Sequence, residues 1–131
     1  MRPPLPRGPF LVVGLARSGR AAVRLLTARG ERVVGVDSGQ PDVAGLDAEV
    51  HLGSDGVELL DGVATVVKSP GVPATAPAIA AARERGIEVV GELELAWRLL
   101  PNRFVAVTGT NGKTTTVELL GAIWRAAGLG V

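Results

Sequence analysis

Toward the end of the chain, Val107-Thr108-Gly109-Thr110-Asn111-Gly112-Lys113-Thr114 sets glycines, a lysine and a hydroxyl at the spacing of a phosphate-binding loop. Backbone amides of such a loop ring a phosphate, Lys113 would neutralise β- and γ-phosphates, and the Thr114 hydroxyl would reach Mg2+. The strict pattern asks for glycine at position 107, where this chain has valine, and Gly109 supplies flexibility inside the loop instead. Gly109, Thr110, Asn111, Gly112, Lys113, Thr114 and Thr115 are therefore the candidate ATP-binding set. Lys113 and Thr114 are its candidate catalytic residues, and Thr114 its magnesium ligand.

A second loop of this kind lies near the start. Gly14-Leu15-Ala16-Arg17-Ser18-Gly19 follows an apolar run and opens a helical stretch, the context that a G-x-G-x-x-G fingerprint requires. Gly14 permits a sharp turn and Gly19 a close approach of helix to strand, while Ala16 at the middle position leaves a pyrophosphate slightly less room. The helix N-terminus beyond offers unpaired N–H groups to an anion, and Ser18 can cap that helix or donate to phosphate. Asp37 closes the next strand, where an acid accepts hydrogen bonds from a nucleotide's sugar or base. The plain alternatives are a compact strand-to-helix turn at 14–19 and an ordinary turn residue at Asp37, helped by Ser38 and Gly39.

Alternating elements must hold these loops. Phe10 to Val13 is a continuous apolar run, as expected of a parallel strand covered on both faces. Ser18 to Arg29 reads as a helix, with Ala22, Leu25, Leu26 and Arg29 at helical spacing and Gly30 at the C-cap. Further strands are expected at Arg32–Val36, Glu49–Leu52, Thr65–Lys68, Ile87–Val90 and Phe104–Thr108. Further helices are expected at Ala76–Arg85, Glu92–Leu100 and from the lysine loop to about Ala127. This alternation predicts an α/β fold with a parallel sheet and right-handed crossovers.

Prolines at 3, 4, 6 and 9 make residues 1–9 a flexible or extended lead-in. Pro101-Asn102-Arg103 is the expected boundary between a domain at 10–100 and a segment at 101–131. That segment starts a strand–loop–helix unit with no further strands to pair with, so its stop at Gly130-Val131 reads as truncation.

The formal net charge is +1 with both signs interspersed, which gives no basic stripe for nucleic acid. There is no cysteine, which excludes disulfides and thiolate metal sites and fits a cytoplasmic protein. No stretch approaches the roughly 18 apolar residues of a membrane span, and Phe10–Val13 is too short for a signal peptide. His51, the single histidine, has no neighbouring carboxylate or second ligand in sequence and is expected in a structural or surface role. Trp97 and Trp124 fall on predicted helices and read as packing residues. Glu92 and Glu94 suit the first turn of a helix through its dipole.

Two nucleotide loops in one short chain are the distinguishing feature. In order, Gly14–Gly19, Asp37-Ser38, Lys68-Ser69-Pro70-Gly71-Val72, Gly91-Glu92-Leu93-Glu94 and Thr108–Thr115 resemble the Mur ligase family over nearly the whole chain. The member most resembled is the one that adds D-glutamate, since the ligase acting one step earlier usually has a longer Gly-rich first loop. The resemblance implies a Rossmann-like UDP-binding domain at 10–100, followed by the first strand, P-loop and helix of a truncated ATPase domain at 101–131. It implies that Gly14, Ala16, Arg17, Ser18 and Gly19 hold uracil and diphosphate, that Asp37 and Ser38 contact the uridine, and that Gly71 brings backbone close to the nucleotide. Taken alone, Ser69-Pro70-Gly71 reads as a rigid turn.

The reaction implied is ATP-driven amide formation between UDP-N-acetylmuramoyl-L-alanine and D-glutamate in peptidoglycan precursor synthesis, with ATP and Mg2+, by a cytoplasmic monomer. The 131-residue stretch itself is expected to bind uridine nucleotide, to hold no cofactor tightly and to catalyse no ligation. An NAD(P)-dependent oxidoreductase domain using Gly14, Gly19 and Asp37 is one rival reading, and a non-catalytic nucleotide-binding scaffold is another.

Overall fold

The computed structural model describes residues 2–131, and Met1, the first residue of the lead-in, lies outside the described residues. The chain divides into two compact units, one reaching to Pro101 and one from Asn102 to Val131.

The first unit contains β1 (Phe10–Val13), α1 (Arg17–Ala28), β2 (Val33–Asp37), β3 (Glu49–Leu52), a short 3-10 helix (Val57–Leu60), β4 (Thr65–Lys68), α2 (Pro77–Glu84), β5 (Glu88–Gly91) and α3 (Glu92–Leu99). Every strand pairing is parallel, in the order β3-β2-β1-β4-β5. The sheet is covered on both faces, so all four residues of β1 are buried. Phe10 and Val12 pack with Leu15, Val23, Leu26 and Leu95 on the α1 and α3 side. Leu11 and Val13 pack with Val66, Ile79 and Ala82 on the α2 side. That split is the two-residue period of a strand.

α1 buries Gly19, Ala22, Val23 and Leu26, which is one helical stripe. Fully burying a side chain such as Leu26 stabilises the fold by about 1.5–3 kcal/mol relative to leaving it in water. From β1 the chain proceeds outward to β2 and β3, then crosses back to β4 and β5 on the other side. The strand order therefore reverses between β1 and β4. Loops leaving such a switch point diverge and open a crevice at the carboxyl ends of the strands.

The proline lead-in, expected as flexible or extended, forms no helix or strand in its described residues and is anchored. Pro6 is buried and Leu5 packs on the core. Thr65 Oγ1 donates to Arg7 O at 2.8 Å, Ala64 N donates to Pro9 O at 2.9 Å, and Arg2 donates to Leu100 O. Prolines carry no N–H, so this segment joins its neighbours largely as an acceptor.

In the second unit the regular element is α4 (Lys113–Ala126), none of whose residues is buried. The strand expected at Phe104–Thr108 does not form. A strand exists only when a neighbouring strand pairs with it, and no strand among the described residues pairs with this segment. Among the described residues, no helix is long and apolar enough to cross a membrane.

Candidate functional site

β1, β2, β3 and β4 end nearly level, with Val13 opposite both Val36 and Lys68 and Asp37 opposite Leu52. Their following loops enclose a cleft of about 630 Å³, within the roughly 300–1,000 Å³ usual for small-molecule sites. Gly14, Ala16 and Ser18 line it from β1, Asp37 and Ser38 from β2, and Ser54 and Asp55 from β3. The segment after β4 closes it with Ser69, Gly71, Val72, Pro73, Thr75, Ala76 and Pro77.

Two glycines set the β1–α1 turn. Gly14 has φ +91°, and a Cβ there would stand 2.7 Å from Val72 Cγ2. A Cβ on Gly19 would stand 1.7 Å from Gly14 O, so only glycine lets α1 start this close to β1. Ser18 does not cap α1, contrary to one of its two expected roles, because the helix begins a residue earlier, at Arg17, and Ser18 already lies inside the first turn. The cap position falls to Ala16, which has no oxygen to offer. First-turn N–H groups thus remain available at the cleft, where they favour an anion.

Polar side chains then fasten the loops to one another. Asp37 Oδ2 accepts Leu15 N at 2.7 Å, and its Oδ1 accepts Gly39 N at 2.8 Å. A carboxylate has about four lone-pair sites, so both oxygens keep capacity for a ligand. Ser69, only 5% exposed, donates from Oγ to Gly14 O at 2.8 Å. Lys68 Nζ donates to Ser69 O at 3.2 Å and Val72 O at 2.7 Å. Val72 N closes the same turn onto Ser69 O at 3.1 Å.

Ser54 Oγ donates to Glu58 Oε1 at 2.6 Å and accepts Gly56 N at 3.0 Å. That hydroxyl, with smaller help from the Glu58 backbone N–H and then from His51, holds the Glu58 carboxyl below its ordinary value. The cleft lining includes the carboxylates Asp37 and Asp55 but no lysine or arginine. An anionic ligand here would rest on backbone N–H groups and the α1 dipole.

Gly14, Ala16, Ser18, Asp37, Ser38 and Gly71 are thus gathered around one cleft. Gly19 is buried beneath it, and Arg17 is exposed without lining it. Sequence reasoning missed Ser54, Asp55, Pro73, Thr75, Ala76 and Pro77. The level endings of β2 and β3 carry the loop after Leu52 to this edge, a signal available once Glu49–Leu52 is taken as a parallel strand. His51 also needs correction, since Glu49 Oε1 lies 2.7 Å from its Nε2. Residues two apart on a strand share a face. Among the described residues, no group of three or more His, Cys, Asp or Glu could hold a metal.

In the second unit, Gly109 to Thr115 are all exposed. Gly112, at φ +81°, stands at the N-cap of α4, which has no side-chain cap. Lys113 Nζ folds back to donate to Gly109 O at 2.6 Å.

An all-parallel sheet in this strand order, with a glycine turn and a strand-end acid at its switch point, defines a Rossmann-type architecture. Residues 9–91 match the Mur ligase MurD-like N-terminal domain, and the chain belongs to that family. It is 52% identical over 129 residues to a UDP-N-acetylmuramoylalanine–D-glutamate ligase of Frankia casuarinae, covering 92% of this chain and 27% of the relative. A ligase of the same description from Pelotomaculum thermopropionicum is 47% identical, covering 94% of this chain and 29% of the relative. The chain thus spans under a third of the length of these relatives.

Among solved structures, the UDP-N-acetylmuramate-alanine ligase MurC of Thermotoga maritima superposes with a TM-score of 0.62 at 22% identity, over 88% of this chain and 29% of that one. CobK precorrin-6A reductase superposes with a TM-score of 0.54 at 18% identity, over 79% and 41%. The fold therefore serves several chemistries. The family match, rather than the fold, disfavours the oxidoreductase reading.

Proposed function

We propose that this chain is the uridine-nucleotide-binding portion of an ATP-dependent, cytoplasmic, monomeric ligase that joins D-glutamate to UDP-N-acetylmuramoyl-L-alanine in peptidoglycan precursor synthesis. The observation that carries the reading is the cleft where the Asp37-clamped glycine turn faces the Ser69–Val72 turn, in a chain so similar to ligases of that description. Asp37 and Ser38 would accept and donate to the uridine. The backbone of Ala16, Arg17, Ser18 and Gly19 would hold the diphosphate at the start of α1, where the dipole favours negative charge. Gly71 would let backbone approach the nucleotide, since a Cβ there meets nothing within 4 Å in this chain.

For ATP, the loop Gly109–Thr115 fits a phosphate, because the first turn of α4 is uncapped and the Lys113 ammonium rests on a loop carbonyl it could exchange. Bound ATP supplies the phosphoryl group that activates a carboxylate for attack by an amine. Lys113 would neutralise phosphate charge, and Thr114 would ligate Mg2+. The 10–100 stretch would hold substrate, and 101–131 would contribute this loop to an ATP site.

Calorimetric titration of the chain with UDP and with NAD tests the reading. Saturable UDP binding without NAD binding is expected. NAD binding together with indifference to UDP would instead support the oxidoreductase reading.

A further inference from the structure

We infer that Lys68 is a positioning residue for the cleft, tying together the two ends of the Ser69–Val72 turn so that Gly71 and Val72 form a preset wall. The inference rests on the uridine-nucleotide reading above. Lys68 ends β4 after Thr65, Val66 and Val67, all buried, and is itself half-buried. A lysine there must lay its stem along apolar surface and find partners for its charge. Among the described residues its ammonium meets no carboxylate at ion-pair distance. It spends two N–H groups on the carbonyls of Ser69 and Val72, at the two ends of one four-residue turn. Charge-assisted bonds of this kind are about twice as strong as neutral ones.

The apex of that turn has little else to define its shape. Pro70 and Gly71 are exposed, and a Cβ on Gly71 would meet nothing within 4 Å. Apart from the ammonium, the turn is closed by one backbone bond, Val72 N to Ser69 O. Ser69 is also the residue whose hydroxyl holds Gly14 O, so an error in the turn reaches the β1 loop across the cleft. Lys68 is not among the residues lining the cleft. It therefore acts by removing loop freedom that a ligand would otherwise have to freeze on binding.

The experiment titrates UDP and uridine, by NMR shift perturbation, into wild type, Lys68→Met and Lys68→Arg, with amide exchange of Val72 followed in each. Lys68→Met is expected to lose about tenfold in affinity for both ligands alike, as one charge-assisted bond predicts. It should also speed Val72 exchange, and Lys68→Arg should restore most of both. Unchanged binding of both ligands in Lys68→Met, or a loss confined to UDP, overturns the inference, the latter because it marks direct contact with phosphate. Should Lys68→Met fail to fold, Lys68→Gln, which keeps an N–H donor on a shorter stem, is expected to show a smaller but equal loss for both ligands, and a wild-type affinity overturns the inference. Absence of UDP binding by wild type is a different result, and it sinks the uridine reading itself.

Discussion

Phe10–Ala28 and Phe104–Ala126 both run an apolar stretch into a glycine loop and on into a helix. In the first, the apolar stretch is a strand bonded on both sides, and its helix buries Ala22, Val23 and Leu26. In the second, the apolar stretch forms no strand and no residue of its helix is fully buried. Among the described residues, seven of the nine exposed large hydrophobics lie from Phe104 onward, among them Val105, Leu119 and Ile123 at 60%, 60% and 52% exposure. The glycine loop and the helix are local products, because turn glycines and helical hydrogen bonds span a few residues. A strand is a product of its neighbours, and so is the order of a loop. Asp37 and Ser69 reach the first loop from other strands, whereas in the second Lys113 bonds to Gly109 O of its own loop.

The largest expected contrast is in stability. Leu26→Ala, at a fully buried site, should cost about 2–5 kcal/mol in urea unfolding of the chain. Ile123→Ala, half-exposed on α4, should stay within about 0.5 kcal/mol. Equal costs would mean that α4 is packed after all, and the contrast between the two segments would fail.

Next in size is the clamp. Asp37→Ala leaves the N–H of the fully buried Leu15 without its acceptor. It should cost about 1–3 kcal/mol of stability and weaken UDP binding as well. Lys113→Ala removes a bond wholly within an exposed loop and should change neither quantity. Thermal unfolding and calorimetry on the two variants decide it, and loss of UDP affinity in Lys113→Ala would merge two sites that are proposed as separate.

A third test compares glycines. Gly71→Ala faces open space at an ordinary φ, so stability should hold within about 0.5 kcal/mol while UDP binding falls. Gly112→Ala, at φ +81°, should cost about 1–2 kcal/mol and leave UDP binding alone. A stability loss in Gly71→Ala would show that the chain, not a ligand, requires that glycine.

The same contrast explains what was legible beforehand. Thr65–Lys68 could be bounded to the residue, since Ser69-Pro70 stops its apolar run, while the strand near Glu49–Leu52, with Glu49 and His51 in it, gave a weaker signal. The parallel architecture followed from strands alternating with helices. The Asp37–Leu15 and Ser69–Gly14 bonds were not legible, because each joins residues from different strands and depends on strand order. The short helix Val57–Leu60 escaped because it hangs on Gly56 at φ +79°, where a Cβ would press on Val36. His51 beside Glu49 was missed for a simpler reason, since a two-residue spacing looks remote until the stretch is known to be a strand.

The smallest effect sits at the rim of the first cleft and asks whether its bonds persist in solution. Ser54 Oγ donates to Glu58, and this bond is the main reason the carboxyl titrates below its ordinary value. A carboxyl whose folded value is depressed adds stability above the unfolded value and loses it as pH falls through the folded one. Ser54→Ala should therefore move the Glu58 midpoint toward 4.5 and reduce that acid-side dependence, as NMR titration of the side-chain carboxyl would record. Gly56 N would lose its hydroxyl acceptor in the same variant, so its amide should exchange faster. An unmoved Glu58 midpoint would mean the rim is as unconstrained as the lysine loop of the second unit, and the contrast between the two would then hold only for the deeper bonds of Asp37 and Ser69.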